Sequence, residues 1–371
     1  MRPVALRDGP LNFAYLPQAG YNLSMQHLAL YRKYRPAKFS EIVGQEAVVS
    51  ALKGALKDDK ISHAYLFAGS RGTGKTSIAR IFARELGVSD KDTYEIDAAS
   101  NRGIDDIRAL RDAVQTLPFD SKYKIYILDE VHMLSKDAFN ALLKTLEEPP
   151  SHVIFILATT EMQKLPETVI SRCQVFEFKR PSVEILRKVI SAAAKSEKIT
   201  LDESSAELIA IAGDGSFRDA YGTLERVIAS SVDAKITGAL VEEIIGAPKN
   251  TVVNSLVSAI SDKKWSEALS VLRHATEAGG DMTLLSKLLI VKLRAILMLS
   301  IDPKADFSKT FSEEDIIFAK KIAAGKNISA ATLVAFLSAH EHIASAPMPE
   351  LPLELAIISL AEKGNDQSLF S

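Results

Sequence analysis

Gly69-Ser-Arg-Gly-Thr-Gly-Lys-Thr76 is the stretch of this 371-residue chain that decides its fold class. The apolar run Ala64-Tyr-Leu-Phe-Ala68 precedes it, and the run from Ser77 to Arg84 that follows has the apolar spacing of a helix. A glycine-rich loop between a buried strand and a helix is typical of phosphate-binding loops. The sequence therefore predicts that the chain binds a nucleoside triphosphate.

Each part of this loop has a physical reason. Glycines let backbone N–H groups curl around phosphate oxygens, and the helix N-terminus that follows favours anions. We expect Lys75 to reach the β and γ phosphates and the Thr76 hydroxyl to ligate Mg²⁺. A glycine-rich turn without a ligand is the alternative, and the flanking strand and helix argue against it. The predicted phosphate-binding residues are Gly69, Ser70, Arg71, Gly72, Thr73, Gly74, Lys75 and Thr76.

Composition restricts the class of protein. Hydrophobic residues make up 47% of the chain, enough for cores in two or three domains. The formal net charge of -2 and the pI near 6.4 mean that any contact with nucleic acid requires a local basic patch. The single cysteine, Cys173, excludes internal disulfides and cysteine-cluster zinc sites. This cysteine usage suits a reducing cytosol, so we expect a cytoplasmic protein, and since no run has the length of a membrane helix we expect no membrane contact.

The first residues differ from the rest of the chain. Residues 1–24 mix charged residues and prolines with apolar ones, so they lack the unbroken apolar stretch of a signal peptide. We expect a poorly ordered extension over residues 1–24, with organised sequence from Met25.

Strand-like and helix-like segments alternate through the next part of the chain. That order predicts an α/β fold, a parallel sheet flanked by helices. The predicted strands are Ala64–Ala68, Thr93–Asp97, Lys124–Leu128 and Val153–Ala158, and the predicted helices are Gln45–Leu56, Ser77–Leu86, Asp105–Leu117 and Lys136–Leu146.

Beyond Arg180 the strand signals fade and helical spacing continues to the end. The first helices form a small helical domain, and after the turn Gly246-Ala-Pro248 two apolar stripes indicate a further all-α domain. The predicted domains cover residues 25–180, 181–246 and 247–371. The predicted helices are Val183–Ser196, Ser204–Ala212 and Phe217–Ser230, and the stripes are Trp265, Ala268, Leu269, Leu272 and Ala275, then Leu285, Leu289, Leu293, Ile296 and Leu297.

Two acidic residues follow the third predicted strand. Asp129 and Glu130 come directly after an apolar run, at the sheet edge where such folds bind ligands. We expect Asp129 to hold Mg²⁺ and Glu130 to polarise a water for attack on the γ-phosphate. A solvated strand end would give the same letters, and the preceding phosphate loop favours the catalytic interpretation.

Three further residues are candidates for work on the phosphates. Thr160 ends the next strand and is expected to position the attacking water, with an ordinary strand cap as the alternative. Arg172 has the planar, permanent charge that stabilises a transferring phosphoryl group, with a surface ion pair as the alternative. Arg218 lies near a helix start, from which we expect it to reach the bound phosphates and couple hydrolysis to motion of the second domain.

Several longer strings together resemble bacterial DNA polymerase III gamma/tau subunits, the AAA+ ATPases of the sliding-clamp loader. The resemblance is near-continuous from about Leu30 to Arg180 and looser in the third domain. The strings are Tyr31-Arg-Lys-Tyr-Arg-Pro36, Ile42-Val-Gly-Gln-Glu46, His63-Ala-Tyr-Leu-Phe67, the phosphate loop, Glu95-Ile-Asp-Ala-Ala-Ser-Asn-Arg-Gly103, Asp129-Glu-Val-His-Met-Leu134 and Phe139-Asn-Ala-Leu-Leu-Lys-Thr-Leu-Glu-Glu-Pro-Pro150.

The resemblance implies roles for these residues. Lys75 and Thr76 correspond to Walker A, Asp129 and Glu130 to Walker B, Thr160 to sensor 1 and Arg218 to sensor 2. Arg172, in Ser-Arg-Cys, corresponds to the arginine finger that acts in a neighbouring subunit's site. The resemblance also implies that Val43 and the stretch Tyr34-Arg-Pro36 lie near the adenine. The second domain is then the lid, and the third is the collar that holds a ring of subunits.

The sequence departs from the family pattern in one place. Most members insert a four-cysteine zinc module after the phosphate-loop helix, whereas here Glu85-Leu-Gly-Val-Ser-Asp-Lys-Asp-Thr-Tyr94 has no cysteine. We therefore expect no zinc. The chain ends at Ser371, so the resemblance is to the short, gamma-type form.

The resemblance also implies partners. They are clamp-loader subunits of the delta and delta-prime type, the sliding clamp, and primed DNA contacted through its backbone. Asn101, Arg102 and Arg108, at the start of the Asp105 helix, are the expected DNA contacts, because helix N-termini and arginines suit phosphates. A solvated helix face is the alternative for both arginines.

The predicted function is ATP hydrolysis that drives loading of the sliding clamp onto primed DNA during replication. The chain would belong to the polymerase holoenzyme without polymerising nucleotides itself, because a second acidic constellation for polymerase metals is missing. One alternative is another AAA+ DNA-processing ATPase, such as an archaeal-type clamp-loader small subunit or a branch-migration helicase subunit. Another is a non-catalytic ring subunit, against which Lys75, Thr76, Asp129 and Glu130 all argue.

Overall fold

A five-stranded parallel sheet is the centre of the first part of the chain. The computed structural model describes residues 28–101, 103–231, 235–307 and 311–366, so the extension over residues 1–24 and Arg102 lie outside the described residues. The strands pair in the order β2-β3-β4-β1-β5, all parallel. The predicted parallel sheet is confirmed. The strands are β1 Ala64–Ala68, β2 Thr93–Asp97, β3 Lys124–Asp129, β4 Val153–Thr159 and β5 Gln174–Glu177.

Helices cover both faces of this sheet. Side chains alternate between faces along each strand, so Tyr65 and Phe67 of β1 pack into one core and Ala64 and Leu66 into the other. Burial on both faces explains the continuous apolar runs that identify these strands in the sequence. The helices that cover the sheet are α2 Glu46–Lys57, α3 Lys75–Glu85, α4 Ile104–Val114, α5 Lys136–Glu147 and α6 Glu167–Ile170, whereas the short helix α1 Leu30–Lys33 packs through Leu30 into the core of the helical group that follows the sheet.

Four helices follow and enclose a separate core. Ser182, Asp202, Ser216 and Thr237 each precede a helix and accept a hydrogen bond from a backbone N–H in its first turn, which satisfies an otherwise free donor. The helices are α7 Val183–Ser196, α8 Glu203–Ala212, α9 Phe217–Ser230 and α10 Gly238–Ile245. A pair of two-residue parallel strands, β6 Thr200–Leu201 and β7 Lys235–Ile236, joins them, which the sequence did not indicate.

The last part of the described chain is helical. Its core contains Leu285, Leu289, Leu293 and Ile296 of the predicted stripe, all fully or almost fully buried. Leu284, in the same helix, packs instead into the core of the preceding four helices, so the two groups are in contact. The domain limits remain predictions. The helices are α11 Asn250–Ser261, α12 Trp265–Glu277, α13 Met282–Ile301, α14 Glu313–Ala324, α15 Ala330–Ile343 and α16 Leu351–Asp366.

Two predictions of secondary structure were wrong in detail. Helix α4 ends at Val114, and Leu117, predicted as part of its apolar face, is 77% exposed. Leu117 precedes Pro118, whose ring disfavours helical backbone in the residue before it. Strand β5 was missed because it lies at the sheet edge, where Gln174 and Glu177 are exposed and the apolar run is interrupted.

A buried ammonium group links three helices of the last group. Lys292 of α13 is 4% exposed, and its Nζ lies 2.8 Å from Asp315 Oδ1 of α14. The same Nζ lies 2.6 Å from Asn250 Oδ1 and 2.6 Å from Asn254 Oδ1, both on α11. Burial lowers the pKa of Lys292, and the carboxylate of Asp315 opposes this effect.

Removal of that carboxylate is expected to destabilise this helical group. Asp315→Ala would leave the Lys292 ammonium buried without a counter-charge, which typically costs about 3 kcal/mol. Glu313→Ala, at an exposed position of the same helix, is the control and should change stability far less. Urea denaturation followed by circular dichroism measures both. Equal midpoints for the two variants would contradict the prediction.

Candidate nucleotide-binding site

The phosphate loop joins β1 to α3 and depends on glycine at three positions. Gly69, Gly72 and Gly74 have φ values of 150°, 73° and 103°, which L side chains rarely adopt. A Cβ at Gly69 would lie 2.5 Å from the carbonyl oxygen of Phe178. The loop is therefore packed too closely against β5 and its continuation to accept a larger residue.

Lys75 is the first residue of α3 and is buried. Its Nζ donates hydrogen bonds to the carbonyl oxygens of Gly69, at 2.7 Å, and Ser70, at 3.0 Å. Burial lowers the pKa of the Lys75 ammonium, while the carboxylates of Glu130 and Asp129 oppose this. A partly desolvated ammonium inside a loop of backbone N–H groups suits a phosphate, which would replace the two carbonyls as its acceptor.

Thr76 and Asp129 meet at the end of β3. The Thr76 hydroxyl donates a hydrogen bond of 2.9 Å to Asp129 Oδ2, and Asp129 Oδ1 accepts one of 3.0 Å from the N–H of Glu130. A hydroxyl and a carboxylate oxygen at one point beside the loop are the hard oxygen ligands that Mg²⁺ takes together with phosphates and water. The donor set therefore fits a magnesium ion.

Glu130 and Thr160, from neighbouring strand ends, are in contact. Glu130 Oε2 accepts a hydrogen bond of 2.9 Å from the Thr160 hydroxyl and one of 3.3 Å from its N–H. Glu130 also has left-handed backbone, with φ of 50°, which turns the chain sharply after Asp129. The two acids thus point to different partners, as two different roles require.

His132 is a neighbour of Glu130 that residue-by-residue reasoning missed. Its side chain is 6% exposed, with Nδ1 at 3.4 Å from Glu130 Oε2 and Nε2 at 3.4 Å from Glu161 Oε1. Nδ1 also lies 3.0 Å from the Thr159 hydroxyl. The sequence shows a histidine two positions after the acidic pair, but only the fold shows that it contacts Thr159 and Glu161.

One cavity of about 330 Å³ runs along the loop. Val43, 42% exposed, lies at its edge, as do Tyr34 and Tyr221, whose rings stack with centroids 5.7 Å apart. An aromatic and aliphatic wall next to a phosphate loop suits a nucleobase. Candidate site residues that line the cavity are Val43, Arg71, Gly72, Thr73, Gly74, Lys75, Thr76, Asp129, Glu130 and Arg218.

The second helical group touches the phosphate loop directly. The N–H of Phe217, at the start of α9, donates a hydrogen bond of 3.0 Å to the carbonyl oxygen of Gly72. A Cβ at Gly72 would lie 2.0 Å from Ser216 Oγ. Arg218, one residue further, lies at the cavity, with its guanidinium carbon 5.7 Å from the centroid of the Tyr31 ring.

Arg172 lies apart from the cavity of its own chain. Its Nη2 is 2.7 Å from Glu147 Oε1, and its Nη1 donates a hydrogen bond of 2.7 Å to the carbonyl oxygen of Thr168. The side chain is one third exposed. The structure therefore brings Lys75, Thr76, Asp129, Glu130, Thr160 and Arg218 together and leaves Arg172 on a separate surface.

The expected DNA contacts lie around the start of α4. Asn101 Nδ2 donates a hydrogen bond of 2.9 Å to the carbonyl oxygen of Asp97, and exposed Arg108 pairs with Asp105 at 3.2 Å. Arg102 belongs to the part that the structure does not describe. Their role in DNA binding remains a prediction.

The described residues offer neither a clustered metal site nor a membrane-spanning helix. In the four described ranges, no group of three or more His, Cys, Asp or Glu side chains is arranged to hold a metal ion. The described helices are all too short or too polar to cross a lipid bilayer.

Comparison with known proteins places the chain in a family. A family model described as DNA polymerase III, delta subunit matches residues 44–103 and 91–182, and one described as DNA polymerase III subunits gamma and tau domain III matches residues 236–367. The chain is 43% identical over 318 residues to DNA polymerase III subunit tau of Bacillus subtilis, covering 78% of this chain and 56% of that protein. The chain belongs to the DNA polymerase III gamma/tau family.

Other members of the gamma/tau family give the same result. Identity is 39% over 302 residues with DNA polymerase III subunit tau of Escherichia coli, covering 76% of this chain and 47% of that protein. With DNA polymerase III subunit gamma of Buchnera aphidicola it is 40% over 243 residues, covering 60% and 65%. The chain spans about half the length of the tau relatives that it matches.

A solved structure supports the AAA+ fold of this gamma/tau member. The Thermotoga maritima RuvB Holliday junction branch migration motor matches with a TM-score of 0.50 at 24% identity, covering 61% of this chain and 79% of that one. At this identity the likeness concerns the fold alone. The predicted AAA+ architecture of a parallel sheet followed by helical parts is confirmed.

A side chain at Gly72 is expected to separate the loop from α9. Gly72→Ala would place a methyl group against Ser216 and strain a backbone with φ of 73°, so ATP affinity should fall about tenfold. The control is Gly54→Ala, where an added Cβ meets no atom within 4 Å and should stabilise α2 by about 0.5 to 1 kcal/mol. Titration with a fluorescent ATP analogue and thermal unfolding measure the two effects. Unchanged affinity in Gly72→Ala would contradict the role given to the contact.

Proposed function

We propose that the chain is the ATP-hydrolysing subunit of a clamp loader, which uses ATP to load a sliding clamp onto primed DNA. The observation that carries the proposal is the convergence of Lys75, the Thr76 and Asp129 pair and the Glu130 and Thr160 pair on one cavity edge. Membership of the gamma/tau family supports the replication context. The chain would act as an ATPase within the polymerase holoenzyme rather than as the polymerase.

Side chains of this site divide the work on ATP. Thr76 and Asp129 would hold Mg²⁺, which when bound would offset charge on the phosphate oxygens. Lys75 would exchange the carbonyls of Gly69 and Ser70 for phosphate oxygens. Glu130 would orient a water for in-line attack and accept its proton, for which its Oε2 must release the hydroxyl of Thr160 or share it with the water.

Arg172 would complete the site of a neighbouring subunit. It does not line the cavity of its own chain, and its partly exposed guanidinium is held by Glu147 on another surface. A planar cation delivered from a neighbour stabilises charge on the equatorial oxygens of the transferring phosphoryl group. Turnover would then depend on assembly with loader subunits of the delta and delta-prime type.

The contact between α9 and the phosphate loop would couple chemistry to motion. Arg218 shares an element with Phe217, whose N–H binds the carbonyl of Gly72. Loss of the γ-phosphate would remove an anionic partner of Arg218 and bias the lid helices toward a second position.

The remaining parts of the proposal follow from the family resemblance. The proposed backbone contacts to DNA are Asn101, Arg102 and Arg108, and the helices after α10 are the proposed collar. We propose that the protein is cytoplasmic and that the chain carries no zinc.

Loss of the in-trans arginine should abolish turnover without loss of ATP binding. For Arg172→Ala we expect about a thousandfold fall in ATP hydrolysis by the assembled loader with clamp and primed DNA, the scale of an arginine finger. Arg273→Ala, an exposed arginine on α12, should hydrolyse ATP at the wild-type rate. ATP affinity is measured in parallel. Wild-type turnover in Arg172→Ala would refute the shared site.

Loss of the Glu130 carboxylate should stop the chemical step. In Glu130→Gln we expect turnover to fall by about a hundredfold to ten-thousandfold, the range for a general base. ATP affinity should stay within a factor of a few, because in the proposed site the phosphates would contact Lys75 and the loop rather than Glu130. Single-turnover hydrolysis and equilibrium titration separate the two quantities. A loss confined to affinity would contradict the role of Glu130.

A further inference from the structure

A second cavity adjoins the nucleotide cavity and is lined by five arginines. It has a volume of about 690 Å³, is open to solvent, and shares Tyr31, Arg35, Arg71 and Arg218 with the first cavity. We call it the arginine groove, defined by Arg32, Arg35, Arg71, Arg218 and Arg226. Two acids, Asp219 and Glu225, also line it, so positive charge predominates.

The groove arginines have no paired carboxylate within the described chain. Several arginines elsewhere in the described chain pair with acids, as Arg80 does with Glu95 and Arg187 with Glu203. Among the residues that the structure describes, none of the five groove arginines forms an ion pair with a carboxylate. Arg32 Nε donates only to the Tyr31 hydroxyl, at 3.1 Å, and Arg226 Nη2 to the Thr223 hydroxyl, at 3.4 Å.

The clustering has an electrostatic cost within the isolated chain. Burial lowers the pKa of Arg35, and the like charges of Arg80, Arg218 and Arg32 lower it further, although Glu95 opposes them. Like charges in one groove repel one another until an anion binds among them. The groove is therefore arranged for an anionic ligand.

The nucleotide accounts for only part of this charge. A triphosphate with Mg²⁺ and Lys75 retains roughly one negative charge, and Arg218 at the nucleotide cavity suffices for it. Arg32 and Arg226 line the groove but not the nucleotide cavity. When Asp219, Glu225 and the remaining charge of the triphosphate are all set against the five arginines, about two positive charges stay unmatched, and a second anion would match them.

The surface around Arg172 carries the complementary charges. Glu147 and Glu148, at the end of α5, are exposed, and Lys144 lies one turn before them. We call Lys144, Glu147, Glu148 and Arg172 the finger patch. Arg172 and Glu147 are joined at 2.7 Å, so a movement that brings Arg172 beside the phosphates of a neighbour brings Glu147 with it.

We propose that the arginine groove receives the carboxylates of Glu147 and Glu148 from a second copy of this chain. The inference rests on the in-trans role of Arg172 given above. When Arg172 turns toward the phosphates it leaves Glu147 without a partner, next to a polyanion. Groove arginines supply the replacement cation, so the ion pair within one chain is exchanged for ion pairs between two chains.

Nucleic acid fits the groove less well than a protein surface. A continuous phosphate backbone would be repelled by Asp219 and Glu225, which stand among the arginines. The finger patch is mixed in charge, and Lys144 offers a cation for those acids while Glu147 and Glu148 meet the arginines. Such complementary patterns fix the register of an interface and speed encounter.

Cross-linking tests contact between the groove and the finger patch. The chain has one cysteine, Cys173, and burial raises the pKa of its thiol to about 12. Cys173→Ala removes it and gives a background without cysteine. In that background, Glu147→Cys and Arg226→Cys chains carrying tags of different size are assembled together with the other loader subunits and ATP. A short bis-maleimide should join the two tagged chains. Glu277→Cys, an exposed position on α12, replaces Glu147→Cys in the control and should give no such product.

Charge reversal gives a second measurement. Arg32→Glu with Arg226→Glu should lower clamp- and DNA-stimulated turnover about threefold to tenfold, the scale of a few interface ion pairs, while ATP affinity of the isolated chain stays unchanged. Arg273→Glu is the charge-matched control and should hydrolyse ATP as wild type does. A mixture in which Glu147→Arg chains face the reversed groove should recover part of the lost turnover.

The outcomes separate this inference from the proposed function. No cross-link and full turnover in the reversed groove, with Arg172→Ala still inactive, would overturn the inference and leave the shared site intact. A reversed groove that weakens binding of primed DNA by the isolated chain would also overturn it, in favour of a nucleic acid contact. Wild-type turnover in Arg172→Ala would remove the basis for both.

Discussion

The hydrogen bond from the Phe217 N–H to the Gly72 carbonyl joins the phosphate loop to the helices that follow the sheet. It exists only because residue 72 has no side chain, since a Cβ there would overlap Ser216. The predicted phosphate-binding loop thus also contacts the start of α9. In the proposed mechanism a change in phosphate occupancy would for this reason also change the position of the following helices.

The contact continues into the last helical group. Asp214, two residues before Ser216, has left-handed backbone with φ of 48° and lies 3.1 Å from Lys287 of α13. Leu284 of the same helix packs into the core of α7 to α10. Helix α13 is also the helix that the buried Lys292 joins to α11 and α14. The phosphate loop is therefore connected to the last helical group through packed helices rather than through a flexible linker.

The sequence predicted the central sheet well for a physical reason. Strands buried on both faces must be apolar throughout, so β1, β3 and β4 appear as uninterrupted runs. The phosphate loop could be predicted because its glycines and Lys75 are close together in the sequence, so their spacing alone indicates the site. Proximity of Glu130 and Thr160 followed from parallel strands that end at one edge. Edge strand β5 had no such signal, because half of its residues face solvent.

What the sequence could not show is charge that the fold assembles. Arg32 lies in α1, Arg71 in the phosphate loop and Arg226 in α9, and a net charge of -2 conceals a local excess built from such distant segments. The surroundings of His132 could not be predicted for the same reason, because the fold brings its two carboxylate neighbours together from the ends of two different strands. Periodicity detects burial, since burial repeats along an element. An electrostatic surface between elements has no period in the chain, so the part of this site that would face a neighbour is a property of the tertiary structure alone.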